Sequence, residues 1–184
     1  MEHLNQSEVR RLLQAAYDRN RLHHLALLAG FLHGLRVSET LAIKGRDILD
    51  AKLSVKRLKK SLPTLHRLRF DSDPLFDESP LIELAKVNSG RLFDWSRQYM
   101  DVIFKQYAAL AGLHPDLAHY HVLKHSICIR LWDETHNLSA IQNHVGHKAP
   151  SSSLVYMRND ATQLAQDVVT TMSFAAHQAV GATA

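Results

Sequence analysis

Cysteine is almost missing from this sequence of 184 residues, in which Cys128 is the only one. A single cysteine excludes an internal disulfide framework and is typical of a protein that works in a reducing compartment. Long apolar runs are missing too, and the N-terminus has no signal-peptide pattern. We therefore expect a cytoplasmic protein that has no membrane partner.

The sequence also has no internal repeat, no low-complexity segment and no long linker. Its length corresponds to one domain that can bury a single core. The hydrophobic content of 46% and the charged content of 22% are ordinary for a globular protein. These values predict one domain over residues 1–184.

The formal net charge is +4 and the pI is about 9.3, before thirteen histidines are counted. This balance favours a polyanionic partner. The distribution is more informative, because residues 52–70 hold no acid and seven basic residues: Lys52, Lys56, Arg57, Lys59, Lys60, Arg67 and Arg69. On its own, such a block is equally well explained as a solvated face.

Apolar residues recur mostly at helical spacing, whereas in one segment apolar and polar residues alternate. The pattern predicts a mainly α protein with one small antiparallel β-sheet, which is an α+β class. Residues 52–70 are the predicted β-hairpin or three-stranded sheet, with a proline turn at 61–64. The predicted helices lie at about 7–19, 22–32, 37–45, 79 onward, 100–112, 123–131, 139–145 and 160 onward, with Ser7, Ser79 and Ser139 as N-caps.

Four groups of residues could take part in binding or catalysis. The first is residues 33–39, which lie between two apolar helices. The break at Gly34 places Arg36 at a helix entry, where backbone N–H groups and a guanidinium can face an anion together. Glu39, one turn later, can hold that arginine in place. A surface ion pair at i,i+3 explains the same pattern equally well.

The second group is residues 57–60, beside the hairpin turn. A lysine at a hairpin tip can reach into a groove and protonate a leaving alkoxide. The alternative is a hairpin that only touches phosphates.

The third group contains His121, Lys124 and His125. On a helix, His121 shares a face with the other two, so His121 and Lys124 can converge on one phosphate. A metal site competes, because His121 and His125 are four residues apart and His144 and His147 follow. Since the sequence has no His-Glu-x-x-His motif and no cysteine pair, we expect no metal site.

The fourth group is Gly146, His147 and Lys148, with Tyr156 nine residues after the histidine. A lone tyrosine in such a place is normally a packing residue with a hydrated hydroxyl. Each of the four groups is therefore weak evidence when taken alone.

Taken in order, the four groups closely resemble the catalytic domain of tyrosine recombinases, the phage integrase family. Residues 34–39 resemble that family's first-arginine motif, and residues 57–59 resemble its β-hairpin lysine segment. Residues 121–125 are similar to its His-x-Leu-Arg-His box. Residues 146–147 and Tyr156 are similar to its Leu-Gly-His and nucleophile segment. Any one motif is unspecific, but the ordered set is strong.

The resemblance spans about residues 7–165 and implies the tyrosine recombinase catalytic fold. We expect the family's N-terminal DNA-clamping domain to be absent from this chain. Residues from about 165 to 184 are expected to form a tail helix that packs on a neighbouring protomer. One departure is Lys124, because the family usually has arginine there. Lysine keeps the positive charge but lacks arginine's planar guanidinium. We therefore interpret this site as a variant of the family's active site and not as an inactive one.

The resemblance further implies site-specific DNA recombination through a 3′-phosphotyrosine. The Tyr156 hydroxyl would attack the scissile phosphate and free a 5′-hydroxyl, and a partner strand's hydroxyl would reverse that step. Arg36 and Lys124 would neutralise the non-bridging oxygens. His121 would take the tyrosine's proton, and His147 would donate a hydrogen bond to the phosphate.

Lys59 would protonate the leaving 5′-oxygen, with Lys60 as the alternative. The expected supporting residues are Glu39 and His125, and the expected DNA-binding residues are Arg57, Lys60, Arg67 and Lys148. No cofactor is implied. The implied partner is double-stranded DNA, on which a monomeric protein assembles as a tetramer. Two other classes remain open: a non-catalytic DNA-binding regulator on the same fold, and a histidine-metal hydrolase.

Overall fold

The computed structural model describes residues 2–58, 61–149 and 151–156. Within them the chain forms α1 (Gln6–Arg19), α2 (Arg21–Leu32), α3 (Val37–Thr40), β1 (Ile48–Leu49), β2 (Lys52–Val55), β3 (Thr64–Arg67), α4 (Ser79–Val87), α5 (Arg97–Leu110), α6 (Val122–Thr135), α7 (Leu138–Val145) and α8 (Ser151–Leu154). The predicted class, mainly α with one small antiparallel sheet, is confirmed.

Helix α2 lies at the centre of the core, because nearly all its residues are buried. It packs against α1, α3 and α6, and α5 packs against α1. Leu27 of α2, Phe104 of α5 and Leu123 of α6 are fully buried in this core. Each such side chain stabilises the fold by about 1.5–3 kcal/mol. The start of α6, which holds the third sequence group, is therefore firmly fixed.

The β-sheet is antiparallel, in the order β1-β2-β3. Leu53 and Val55 of β2 are buried, whereas the paired Lys52 and Arg67 are exposed. This period-two alternation confirms the predicted hairpin and puts its apolar side inward. Strand β3 also contacts α7, so the sheet is held next to the turn that follows α7.

Three helices begin at asparagine caps that the sequence analysis did not select. Asn5 caps α1 in a capping box with Glu8, whose backbone N–H lies 2.9 Å from the asparagine side-chain oxygen. Asn137 caps α7 in the same way as Asn20 caps α2, by accepting backbone N–H groups of the first turn. The predicted caps at Ser7, Ser79 and Ser139 were wrong, because all three serines lie inside their helices.

Glycines in the left-handed conformation end the two helices that lead into the sequence groups. Gly34 follows α2 with a φ of +56°, and Gly146 follows α7 with a φ of +68°. Glycine adopts this conformation without steric cost. Helix α3 ends at Thr40, earlier than predicted. The helix predicted from residue 160 lies outside the described residues. Among the helices that are described, none is both long and apolar enough to cross a membrane.

Candidate active site

Arg36 and Glu39 form an ion pair at the entry of α3. Arg36 is the N-cap residue, and its Nη1 donates to Oε1 of Glu39 at 2.7 Å. Its backbone N–H donates to the other carboxylate oxygen at 2.9 Å. The pair fixes the arginine side chain, which stays 21% exposed to solvent.

The carboxylate of Glu39 is fully buried and joins this pair to the segment after β2. It accepts the backbone N–H of Leu58 at 3.0 Å and a guanidinium N–H of Arg57 at 3.3 Å. Burial by itself raises the pKa of Glu39. The hydrogen bonds from Arg36 and Leu58 and the charge of Arg57 outweigh burial and hold that pKa below its ordinary value. Glu39 is therefore a charged carboxylate at neutral pH.

Arg57 is directed into the protein, whereas the sequence analysis expected it to bind DNA. Its side chain is completely buried. The guanidinium donates to the carbonyl oxygens of His33, Gly34 and His144 at 2.8–3.0 Å, and Nε donates to the Thr64 hydroxyl at 2.9 Å. These contacts assign the Arg57 donors to acceptors inside the protein, and a role of Arg57 in DNA binding stays a prediction.

Lys124 is buried in the first turn of α6, with only 2% of its surface exposed. Its Nζ has no hydrogen-bond partner among the described residues. Burial, followed by the charge of Arg36, lowers the pKa of Lys124 to about 8. A buried ammonium without a partner is costly, and such groups in native proteins call for an explanation. An anion beside Nζ would supply the missing partner.

His147 follows Gly146 and is half-buried. Its Nδ1 lies 2.9 Å from the hydroxyl of Ser153 in α8. Burial, followed by the charges of Lys124 and Arg36, lowers the pKa of His147 to about 4. The ring is neutral at pH 7. Because Lys124 and Arg36 act on its ionisation, these three side chains share one electrostatic environment.

The turn before His147 is held tightly against the hairpin. The backbone N–H of Leu62 donates to the carbonyl of Gly146 at 2.8 Å. A Cβ on Gly146 would lie 2.3 Å from the Leu62 carbonyl oxygen, which is far inside contact distance. Only glycine satisfies both this approach and the positive φ.

Tyr156 is buried against α6. Its hydroxyl lies 3.4 Å from Nδ1 of His125 and also interacts with the thiol of Cys128. Burial, followed by the effect of Cys128, raises the pKa of Tyr156 well above its ordinary value. The hydroxyl is therefore protonated and turned towards α6 in this conformation.

His121 lies at the start of α6 and is exposed. Its ring packs edge-on against that of His125, with the ring centroids 4.5 Å apart. Burial, followed by the charge of His121, lowers the pKa of His125 to about 4, so His125 is neutral at pH 7. His125, which the sequence analysis gave only a supporting role, contacts the Tyr156 hydroxyl. The role of His121 as the base stays a prediction.

Comparison with known sequences identifies the family. Residues 2–163, which are most of the chain, match the sequence profile of the phage integrase family. The chain belongs to the phage integrase family. The family inferred from the four ordered groups is therefore confirmed.

Curated relatives of this integrase-family chain include a tyrosine recombinase and a regulatory protein. Tyrosine recombinase XerD of Rickettsia conorii is 29% identical over 147 residues, which are 68% of this chain and 48% of XerD. The chain thus spans about half the length of this relative. The type 1 fimbriae regulatory protein FimE of Escherichia coli K12 is 28% identical over 181 residues, covering 89% of this chain and 88% of FimE.

Solved structures of family members share the fold. The XerH site-specific recombinase bound to difH substrate matches with a TM-score of 0.69 at 20% identity, over 87% of this chain and 53% of that chain. The catalytic domain of bacteriophage HP1 integrase matches with a TM-score of 0.65 at 19% identity, over 86% and 88% of the two chains. The predicted tyrosine recombinase catalytic fold is confirmed.

The integrase fold brings most of the predicted site residues into one region. Arg36, Lys124 and His147 share an environment, and Tyr156 lies against the helix that carries Lys124. Arg67 and Lys148 are exposed. Lys59 and Lys60 lie outside the described residues. Where the structure describes the chain, no group of histidine, cysteine and acidic residues has an arrangement that could hold a metal ion.

Sequence reasoning missed two residues of this region, Cys128 and Ser153. Cys128 lies three and four residues after His125 and Lys124 on α6, so helical periodicity was a usable signal. No sequence signal distinguished Ser153 from the two serines beside it. Its contact with His147 depends on how α8 folds back.

Proposed function

We propose that this chain is the catalytic domain of a site-specific DNA recombinase, which cleaves and rejoins strands through a phosphotyrosine at Tyr156. The observation that carries the proposal is the Nζ of Lys124, which is buried and has no hydrogen-bond partner within residues 2–58, 61–149 and 151–156. The charges of Lys124 and Arg36 both act on the ionisation of His147, and in the proposal these three N–H donors bind one phosphate. The family membership supports the same chemistry.

In the proposed cleavage step, the Tyr156 oxygen attacks the scissile phosphorus, and the bond from phosphorus to the 5′-oxygen breaks. The products are a 3′-phosphotyrosine and a 5′-hydroxyl. Arg36 and Lys124 neutralise the non-bridging oxygens, and His147 donates a hydrogen bond to one of them. Preorganised donors of this type are worth about 3–4 kcal/mol each in other enzymes. Attack by a 5′-hydroxyl of a partner strand reverses the step and restores the tyrosine.

Two protons move in this step. The tyrosine proton moves to a histidine, and two histidines are candidates. His125 contacts the Tyr156 hydroxyl in the resting state, and the solvent-exposed His121 packs against His125. The 5′-oxygen takes a proton from Lys59, or from Lys60 as the alternative. Tyr156 must leave its contacts with His125 and Cys128 to reach the phosphate. DNA binding supplies the driving force for that change in the proposal.

The proposed partner is double-stranded DNA, and the proposed place of action is the cytoplasm. Exposed Arg67 and Lys148 are expected to contact phosphates near the site. The protein is expected to be a monomer alone and a tetramer on paired DNA sites, with the segment after residue 165 packing on a neighbour. Light scattering with and without DNA tests the assembly, and a stable oligomer without DNA would contradict it.

The reaction is tested with suicide DNA substrates that carry a nick beside the candidate cleavage site. Covalent adducts are measured on denaturing gels, with wild type, Tyr156→Phe and the control Tyr99→Phe. Tyr99 is half-exposed, and its hydroxyl contacts His23, away from the site. We expect adducts with wild type and Tyr99→Phe and none with Tyr156→Phe. An adduct that persists in Tyr156→Phe, or binding of DNA with no adduct in wild type, would overturn the proposal.

A further inference from the structure

We propose that Arg57 is a positioning residue that sets the relative places of the three chain segments that form the phosphate site. This inference rests on the proposed function, because it assigns a role to a residue that acts through the phosphate-binding groups. Arg57 itself touches no phosphate in the proposal. It acts through Glu39 and through backbone carbonyls of the segments that carry Arg36 and His147.

The first observation is where its hydrogen bonds go. The guanidinium donates to the carbonyls of His33 and Gly34, which immediately precede the Arg36 segment. It also donates to the carbonyl of His144, in the last turn of α7 before His147. Arg57 itself follows β2, so one side chain connects the sheet, the α2–α3 turn and the α7 C-terminus.

The second observation is the position of these acceptors in the fold. The carbonyls of His33, Gly34 and His144 lie at helix ends, where the last carbonyls have no partner within the helix. A buried carbonyl without a donor is costly. Removing the guanidinium would therefore leave acceptors of two separate segments without this donor, and each segment would gain freedom to shift.

The third observation is the route through Glu39. The carboxylate accepts from Arg57 at 3.3 Å and from the backbone of Leu58 at 3.0 Å, while its other contacts hold Arg36. Arg57 and Leu58 thus fix the same carboxylate that fixes Arg36. Leu58 is also the last described residue before Lys59. The backbone that leads out of β2 is therefore held by the same carboxylate that holds Arg36.

Only arginine suits this place. Its planar guanidinium has five N–H donors in fixed directions, whereas a lysine ammonium is a compact charge with three. A lysine at position 57 keeps the positive charge beside Glu39 but cannot span the carbonyls of two segments. Arg57→Lys therefore changes geometry while it preserves the charge of the region.

The test measures single-turnover adduct formation and DNA affinity separately for wild type and Arg57→Lys. A displacement of about 1 Å in catalytic groups can lower a rate by about 100-fold. At saturating DNA, we expect Arg57→Lys to lower the adduct rate by roughly 100-fold. The DNA dissociation constant should change by less than about threefold, and the slope of its salt dependence should stay the same. A residue that contacts phosphate would instead weaken DNA binding and reduce the salt dependence.

Thr64→Val is the matched control, because it removes one acceptor of Arg57 and leaves the bonds to the other segments in place. We expect its adduct rate to stay within about threefold of wild type. Circular dichroism at the assay temperature checks that Arg57→Lys is folded. An unfolded Arg57→Lys is replaced by Arg57→Gln, for which the same loss of rate with retained affinity is expected.

The outcomes separate this inference from the proposed function. Adduct formation by wild type with an undiminished rate in folded Arg57→Lys overturns the positioning role alone. Loss of DNA affinity in parallel with rate also overturns it. Failure of wild type to form any adduct while it binds DNA overturns the proposed function.

Discussion

The hydroxyl of Tyr156 lies 3.4 Å from Nδ1 of His125, on the side of α6 that also carries Cys128. At this distance the contact is at the outer limit of a hydrogen bond, and burial rather than this contact dominates the environment of the hydroxyl. The Tyr156 hydroxyl thus faces α6 and not the proposed phosphate site. In the proposed mechanism, cleavage requires a rearrangement of α8, which is short and contacts α7.

The first prediction concerns the pH dependence of cleavage. The pKa of Lys124 is lowered to about 8, so the ammonium is charged below that pH and neutral above it. In Lys124→Arg the charge persists at all pH values of interest. The ratio of wild-type to Lys124→Arg adduct rates at subsaturating DNA should therefore fall by roughly tenfold per pH unit above about 8. A ratio that stays constant up to about pH 9.5 would contradict this.

The second prediction is that Lys124→Met stabilises the protein while abolishing adduct formation. Methionine fills similar space without a buried charge that has no hydrogen-bond partner in the described part of the chain. We expect the free energy of unfolding to rise by about 1–3 kcal/mol in urea denaturation. Lys105→Met is the control, because Lys105 forms an exposed i,i+4 pair with Asp101. Its effect should stay within about 0.5 kcal/mol. A loss of stability in Lys124→Met would show that Nζ has a partner in solution.

The third prediction compares two glycines with positive φ. Gly146 has a φ of +68° and Gly112 a φ of +64°, so alanine at either position carries a similar backbone cost of about 1–2 kcal/mol. No described atom lies within 4 Å of a Cβ on Gly112, whereas a Cβ on Gly146 would meet the Leu62 carbonyl. Gly146→Ala should therefore lose roughly 1–3 kcal/mol more than Gly112→Ala in the same denaturation experiment. Equal losses would mean that the hairpin moves aside freely.

The fourth prediction is that acid destabilises the fold in part through His144. Burial lowers the pKa of His144 to about 4 from an ordinary value of 6.5. The unfolded chain binds this proton at higher pH than the folded protein. The contribution to stability is therefore complete above about pH 6.5 and is lost as the pH falls towards about 4. His144→Gln removes this titration, so its stability measured by urea denaturation should depend less steeply on pH in that window. An unchanged slope would exclude His144 as a contributor.

The site was largely predictable because its residues stand in short ordered segments with fixed local geometry. The sequence placed a break between two helices at Gly34 and the end of a helix just before Gly146, and the structure has a left-handed backbone at both glycines. The hairpin followed from the alternation around Leu53 and Val55. These signals depend on local sequence, so they need no knowledge of the tertiary fold.

The roles of Arg57 and Tyr156 depended on long-range packing, and local sequence could not reveal them. Arg57 stands in a basic run that gives no sign of which member turns inward, and its acceptors come from positions 23 and 87 residues away. The resting contact of Tyr156 with His125 spans 31 residues. Such contacts are set by how α6, α7 and the sheet assemble.

The bond from the Leu62 amide to the Gly146 carbonyl couples the hairpin to the helix end that carries His147. Since the close approach at Gly146 leaves no slack between them, the two segments cannot move independently. We therefore expect a displacement of the hairpin to move Gly146, and with it the backbone of His147, in the same direction.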